Sequence, residues 1–288
     1  MTAPMNEIGI RQGRLSPASA GAIQRFPRES WTDEFRIARD CGLQFIDWLF
    51  AAEEYEQNPV WSAKGLEDIQ ETVDETGVAV RSLCADYFMA HPFVRVTGEQ
   101  RLQSAGILSE LILRSSRAGI AIVVVPILEA GEIRNIAELH EMRQSLESAL
   151  DDAAKVSVIV ALETDLPAAA SASLATIAPH PALGVCYDTG NAAARGFDVT
   201  DDLRILASHL SVVHLKDRDR RGTNVPLGTG VADLPAFFRA TTDLAFRGPL
   251  VLETPRGADS LRSAKANLAF ARACAGGAVP CGEGLSGR

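Results

Sequence analysis

The sequence predicts an α/β protein folded as a single (β/α)8 barrel, and three observations lead there. Short β-rich runs alternate with longer helical patterns about eight times along the 288 residues. Most of the runs are apolar throughout rather than alternating, as in a parallel sheet covered on both faces. The segment after the first run, "GIRQGRL", is not GxGxxG, so the rival fold, an open doubly wound sheet with a dinucleotide loop, gains no support. Closed α/β barrels also reach this length as one domain.

In chain order the runs are "NEIGI" from Asn6, "LQFIDWLF" from Leu43, "VAVRSLCA" from Val78 and "IAIVVVPIL" from Ile120. There follow "VSVIVALE" from Val156, "ALGVCYD" from Ala182, "LSVVHL" from Leu210 and "GPLVLE" from Gly248. Helix signals lie between them. Ser30 is placed to cap a helix with Asp33 and Glu34 in its first turn and Gly42 at its end. Ser62 opens a second helix, with Leu66, Ile69 and Val73 on one stripe and Gly77 as its stop. Thr97 and Gln100 have capping-box spacing. Asp165 before Pro167, Asp233 before Pro235, and Asp259 before Ser260 start three more. The barrel is expected over residues 1–274, with a small, Gly-rich, loose tail over 275–288.

Composition narrows the function classes. Hydrophobic residues make up 47% and charged residues 23%, enough for a sizeable core in a soluble protein. The formal charge of −9 argues against nucleic acid as a partner. Five cysteines without paired spacing read as reduced thiols in a cytoplasmic protein. No signal-peptide pattern and no apolar run of membrane-spanning length is present.

In such a barrel, chemistry gathers where strands end. The last four runs end in Glu163 ("ALETD"), Asp188 ("CYDTGN"), His214 ("VVHLKD") and Glu253 ("VLETP"). They are spaced 25, 26 and 39 residues apart, each about one strand and crossover helix, and so should come from adjacent strands. Taken singly, a strand-end carboxylate is usually a cap or an ion-pair partner, and a lone histidine is usually structural. Four on consecutive strand ends would repel one another unless a cation joined them. An oxygen-rich set with one imidazole suits Mn²⁺ or Mg²⁺, with Co²⁺ or Zn²⁺ as alternatives.

The motifs "GIRQGRLSP", "SLCADYFM", "HPALGVCYDTGN", "HLKD", "VPLGTG" and "VLETPRG" resemble the xylose isomerase-like TIM barrels. The branch they resemble is the sugar-phosphate isomerases/epimerases, of the L-ribulose-5-phosphate 3-epimerase and hexulose-phosphate isomerase type. The resemblance spans roughly residues 6 to 272 and is most specific from Glu163 to Glu253. It places the family's metal set on Glu163, Asp188, His214 and Glu253, and its acid/base pair on Glu163 and Glu253. It aligns a substrate-contacting arginine with Arg220, with Arg218 or Arg221 as alternatives. Asn191 stands where some ketose epimerases have histidine, and Ala169 where they have a second glutamate, so Asn191 matches the sugar-phosphate branch. A homo-oligomer is admitted by the resemblance and is not legible in the residues.

The implied reaction is proton abstraction next to a carbonyl. A metal gripping two adjacent oxygens acidifies the proton between them. One carboxylate removes it, and a second returns a proton to the opposite face, which epimerises the carbon. Weaker candidates are Asp47, Asp86 and Glu129 for hydroxyls, Arg11 and Arg14 for a distal hydroxyl or phosphate, and Lys216 as a pocket lining. Trp31, Trp48, Trp61, Tyr87 and Phe88 are candidate sugar walls, with core packing as the plainer role. His91, His140, His180 and His209 receive no ligand role. "VPLGTG" offers backbone donors for a phosphate. Competing readings are a lyase or dehydratase acting on a keto sugar or keto-inositol, a repair endonuclease on the same barrel, and a non-catalytic sugar-binding protein.

Overall fold

A computed structural model of the chain describes residues 6–17, 25–177 and 179–278. Among them, eight parallel strands close into a barrel: β1 (Ile8–Arg11), β2 (Phe45–Leu49), β3 (Ala79–Cys84), β4 (Ile122–Ile127), β5 (Ile159–Thr164), β6 (Leu183–Asp188), β7 (Leu210–Leu215) and β8 (Leu250–Leu252). Each strand pairs with the next in sequence. The seam closes where β8 lies beside β1, with Ile8 opposite Leu250 and Ile10 opposite Leu252. All eight runs expected from the sequence are strands.

The crossovers are helical: α1 (Trp31–Cys41), α2 (Ala63–Thr76), α3 (Tyr87–Ala90), α4 (Gly98–Arg117), α5 (Ile136–Lys155), α6 (Ala168–Ile177), α7 (Thr189–Ala194), α8 (Val199–Leu206), α9 (Leu234–Asp243) and α10 (Ser260–Ala275). Their ends follow local chemistry. Gly42 ends α1 at φ 77°, a left-handed conformation that a side chain would disfavour. Ser62 accepts from the Gly65 amide, and Thr97 with Gln100 forms the complete capping box. Asp233 and Asp259 cap α9 and α10.

Two caps differ from expectation. Ser30 precedes α1, but its hydroxyl bonds Ser16 Oγ at 2.9 Å and leaves the helix uncapped. Asp165 turns away to Arg195 at 2.6 Å, and α6 starts directly after Pro167. In both cases a tertiary partner outcompetes the local amide. Residues 279–288 of the expected tail, Cys281 included, lie outside the described residues.

Strand side chains alternate between two faces, and this places the functional layer. Phe45, Cys84, Val124, Ala161, Cys186, Val212 and Val251 pack together as a small apolar cluster drawn from seven strands. The larger cluster contains the residues between them in sequence and the helix faces. The small cluster is therefore the interior floor of the barrel. Two residues past these floor positions, in strands or just beyond their ends, stand Asp47, Asp86, Pro126, Glu163, Asp188, His214 and Glu253.

Candidate metal and substrate site

The step of two puts the four predicted residues on one layer directly above the floor. Ala161 leads to Glu163, Cys186 to Asp188, Val212 to His214, and Val251 to Glu253. Pairing register then sets their neighbours: Asp188 lies opposite His214, and Glu163 opposite Cys186. The structure brings them together as two overlapping groups that share His214. His214 Nδ1 is 3.4 Å from Glu163 Oε2 and 3.2 Å from Glu253 Oε2. One ligand atom each from Asp188, His214 and Glu253 lie within 4.8 Å of one another, and so do those of Glu163, Cys186 and His214.

All of these groups are buried. Burial works against charge, but Arg11 and Lys216 hold Glu253 well below the usual carboxylate range. At Asp188 burial outweighs the adjacent Lys216, and the carboxyl is raised. Burial opposes a charged ring at His214, yet Cys186 and Glu163 hold the imidazole well above its ordinary value. Burial pushes the Cys186 thiol up to about 12.

Lys216 lies inside the cluster. Its Nζ is 3.2 Å from Asp188 Oδ2 and 2.9 Å from Glu253 Oε1. The "DTGN" turn sets it in place. Asp188 Oδ1 accepts from the Gly190 and Asn191 amides and so caps α7. The Thr189 hydroxyl donates to Lys216 O at 2.6 Å and accepts from Lys216 N at 2.9 Å. A Cβ on Gly190 would come within 2.9 Å of Lys216 Cγ, so only glycine lets the lysine pass. Asn191 is buried, and its Oδ1 has no hydrogen-bond partner among the described residues.

The first three strands bring a second group to the same layer. Arg11 Nε pairs with Asp47 Oδ2 at 2.7 Å, one terminal nitrogen with Asp86 Oδ1 at 3.4 Å, and the other with Glu253 Oε2 at 2.9 Å. Asp47 also accepts from the Ser82 hydroxyl, and Asp86 from the Cys84 thiol. Arg11, expected at a distal hydroxyl or phosphate, is thus surrounded by the chain's own carboxylates. Arg14 is also buried and lies close enough to Glu253, Arg11 and Arg256 to feel all three charges. The β1 loop is fixed by Glu34, whose carboxylate accepts from the Gly13, Leu15 and Ser16 amides.

The charged stretch after β7 is a ribbon, Asp217–Arg218 against Asn224–Val225. Arg218 is half-buried and donates to Asn224 Oδ1 at 3.1 Å. Arg220 and Arg221 are exposed at the ribbon's turn, away from the buried cluster. The "VPLGTG" loop does not keep its amides for a phosphate. Asp217, fully buried, accepts from the Gly228, Gly230 and Ala232 amides at 2.9, 2.9 and 3.0 Å. A carboxylate of the chain fills the anion nest those glycines form. Glu129 is exposed. Trp48, Tyr87 and Phe88 are core residues, and Trp31 and Trp61 pack on the core edge.

Sequence reasoning missed Cys186, Thr189, Gly190 and Asp217. The first was findable, since it stands two before Asp188 on the same face. Five carboxyl groups (Asp47, Asp86, Glu163, Asp188, Glu253) crowd around Arg11 and Lys216, with Arg14 near. The oxygen-rich donors around one imidazole fit a hard divalent ion held by Glu163, Asp188, His214 and Glu253.

Fold and site together define a (β/α)8 barrel whose last four strands gather carboxylates and one imidazole at their ends. The xylose isomerase-like TIM barrel family matches residues 35–274, and the chain belongs to that family. The L-ribulose-5-phosphate 3-epimerase UlaE of Shigella boydii serotype 18 is 27% identical over 235 residues, covering 78% of this chain and 82% of that protein. The 3-keto-D-glucoside 4-epimerase YcjR of E. coli superposes at a TM-score of 0.73 with 19% identity, over 94% of this chain and 100% of the other. An L-ribulose 3-epimerase superposes at 0.75 with 18% identity, over 95% and 96%. At these identities the structural likeness speaks for the fold. Among the described residues no helix is long and apolar enough to cross a membrane.

Proposed function

We propose that the chain is a divalent-metal-dependent epimerase of a ketose or ketose phosphate, acting at the carbon next to the carbonyl. One observation carries the reading: Glu163 and Glu253 both converge on the His214 ring, at 3.4 and 3.2 Å, from different strands of a buried cluster. The curated relative named as an L-ribulose-5-phosphate 3-epimerase supports it. Glu163, Asp188, His214 and Glu253 would hold the ion, with Mn²⁺ the best match to the donors. A bound divalent ion supplies positive charge where negative charge develops on the substrate's oxygens.

The chain's own groups do the rest. Glu163 removes the carbon-bound proton from one face of the sugar, leaving an ene-diolate. A proton returned to the other face, on the side of Glu253, inverts the carbon. Arg11 and Lys216 hold the two oxygens of Glu253 in place. The buried Oδ1 of Asn191 offers an acceptor to a substrate hydroxyl. Arg218, Arg220 and Arg221 on the ribbon are the cations available to an anionic group at the rim.

The test is solvent deuterium exchange into L-ribulose 5-phosphate and into free pentuloses with Mn²⁺ present. Glu163→Gln should lower exchange by about 10²–10⁴-fold, the usual weight of a general base. Undiminished exchange in that variant would overturn the assignment. A product lighter by water would replace epimerisation with a lyase reaction.

A further inference from the structure

We propose that Lys216 sets how tightly this site holds a divalent cation, because its ammonium group and the ion draw on the same two oxygens, Asp188 Oδ2 and Glu253 Oε1. The proposal rests on the metal-dependent reading above and concerns the strength of binding rather than the reaction. At Asp188, Oδ1 is committed to the Gly190 and Asn191 amides, and Oδ2 takes Lys216. At Glu253, Oε2 takes Arg11, and Oε1 takes Lys216. The oxygens Asp188 and Glu253 can offer an ion are therefore shared with a lysine.

The sharing is built in. Lys216 is 6% exposed, so water does little to screen its charge from an ion a few ångströms away. Its backbone is clasped twice by the Thr189 hydroxyl, and Gly190 leaves no space for the side chain to shift towards α7. A loose surface lysine could swing out when an ion arrives. This one is delivered to the cluster by the same turn that delivers Asp188. Like charge at short range in a poorly screened setting lowers affinity for the ion. The arrangement suits a cation that exchanges rather than one locked in permanently.

The experiment uses the full-length chain stripped with a chelator, titrated calorimetrically with MnCl2. Lys216→Met should bind Mn²⁺ roughly tenfold more tightly or better than the parent, Lys216→Gln should move in the same direction, and Lys216→Arg should stay within about threefold. Damage to the fold weakens metal binding, so a gain of affinity separates this role from a merely structural one. Folded Met or Gln variants that bind Mn²⁺ no more tightly than the parent would overturn the proposal. A second measurement needs no variant: in the parent chain carrying carbon-13-labelled lysine, saturation with Mg²⁺ should shift the Lys216 Cε resonance, and an unmoved resonance at saturation counts against it. If the parent binds no divalent ion, the metal-dependent reading falls as well. If the parent binds Mn²⁺ and epimerises while the variants bind no more tightly, only the role of Lys216 falls.

Discussion

Strands β5 to β8 end in Glu163, Asp188, His214 and Glu253, whereas β1 to β3 bring Arg11, Asp47 and Asp86 to the same layer. The late group is buried and the early one nearly so, both are rich in carboxylates, and Asp47 and Asp86 stand two residues past Phe45 and Cys84 of the floor as the late residues do past theirs. They differ in what neutralises them. Asp47 has its own arginine at 2.7 Å and a serine hydroxyl, so its charge is matched within the chain. Glu163 is approached by an imidazole at 3.4 Å. A buried carboxylate paired with an arginine of the chain helps to hold the structure together, and one that faces an imidazole beside further carboxylates is placed for chemistry. Glu253 belongs to both groups, since Arg11 reaches across the seam to it.

The contrast can be broken in three ways, taken from the largest expected effect on stability to the smallest. Arg11→Met removes the cation shared by Asp47, Asp86 and Glu253 and should cost about 3–5 kcal/mol, the usual loss when one member of a buried ion pair is deleted. Urea unfolding measures it, and a loss below about 1 kcal/mol would mean that the early strands are not held by this guanidinium. Asp217→Asn sharpens the comparison from the late half, because Asp217 is a late-strand carboxylate with three amide donors and should behave structurally. Its expected cost is about 1–3 kcal/mol, read as a lowered Tm, and an unchanged Tm would remove the anchor assigned to the glycine loop. Glu163→Gln should alter stability by no more than about 1 kcal/mol in either direction while removing exchange activity, as at sites where function and stability compete. A large loss of stability in that variant would put Glu163 with the structural set.

Much of this was legible because it depends on local pattern. An apolar run with a single polar residue at its end defines both a strand and the layer of that residue, and Glu163, Asp188, His214 and Glu253 were found that way. What depends on reach across the barrel was not legible. Nothing near Arg11 in sequence says that its partners are Asp47, Asp86 and Glu253. The position two past His214 points Lys216 at the pocket, but nothing in "HLKD" says that its partners are Asp188 and Glu253, or that the following aspartate turns towards a glycine loop. The phosphate reading of "VPLGTG" failed for that reason: glycine-rich amides do seek an anion, and Asp217 supplies it from within the chain. Ser30 and Asp165 were misread as caps because each has a competing partner distant in sequence.

The Arg11–Glu253 pair spans 242 residues, and β1 finds β8 only once the chain through Leu252 is available. A ribosome exposes Ile8–Arg11 well before Leu250–Leu252. Throughout elongation the nascent polypeptide carries an arginine without its distant glutamate and a cylinder with an open side. Contacts of such long separation form late and slowly. Closure therefore arrives in one event, when the final staves join, and a prematurely released fragment lacking β8 has neither a shut cylinder nor Glu253 beside His214.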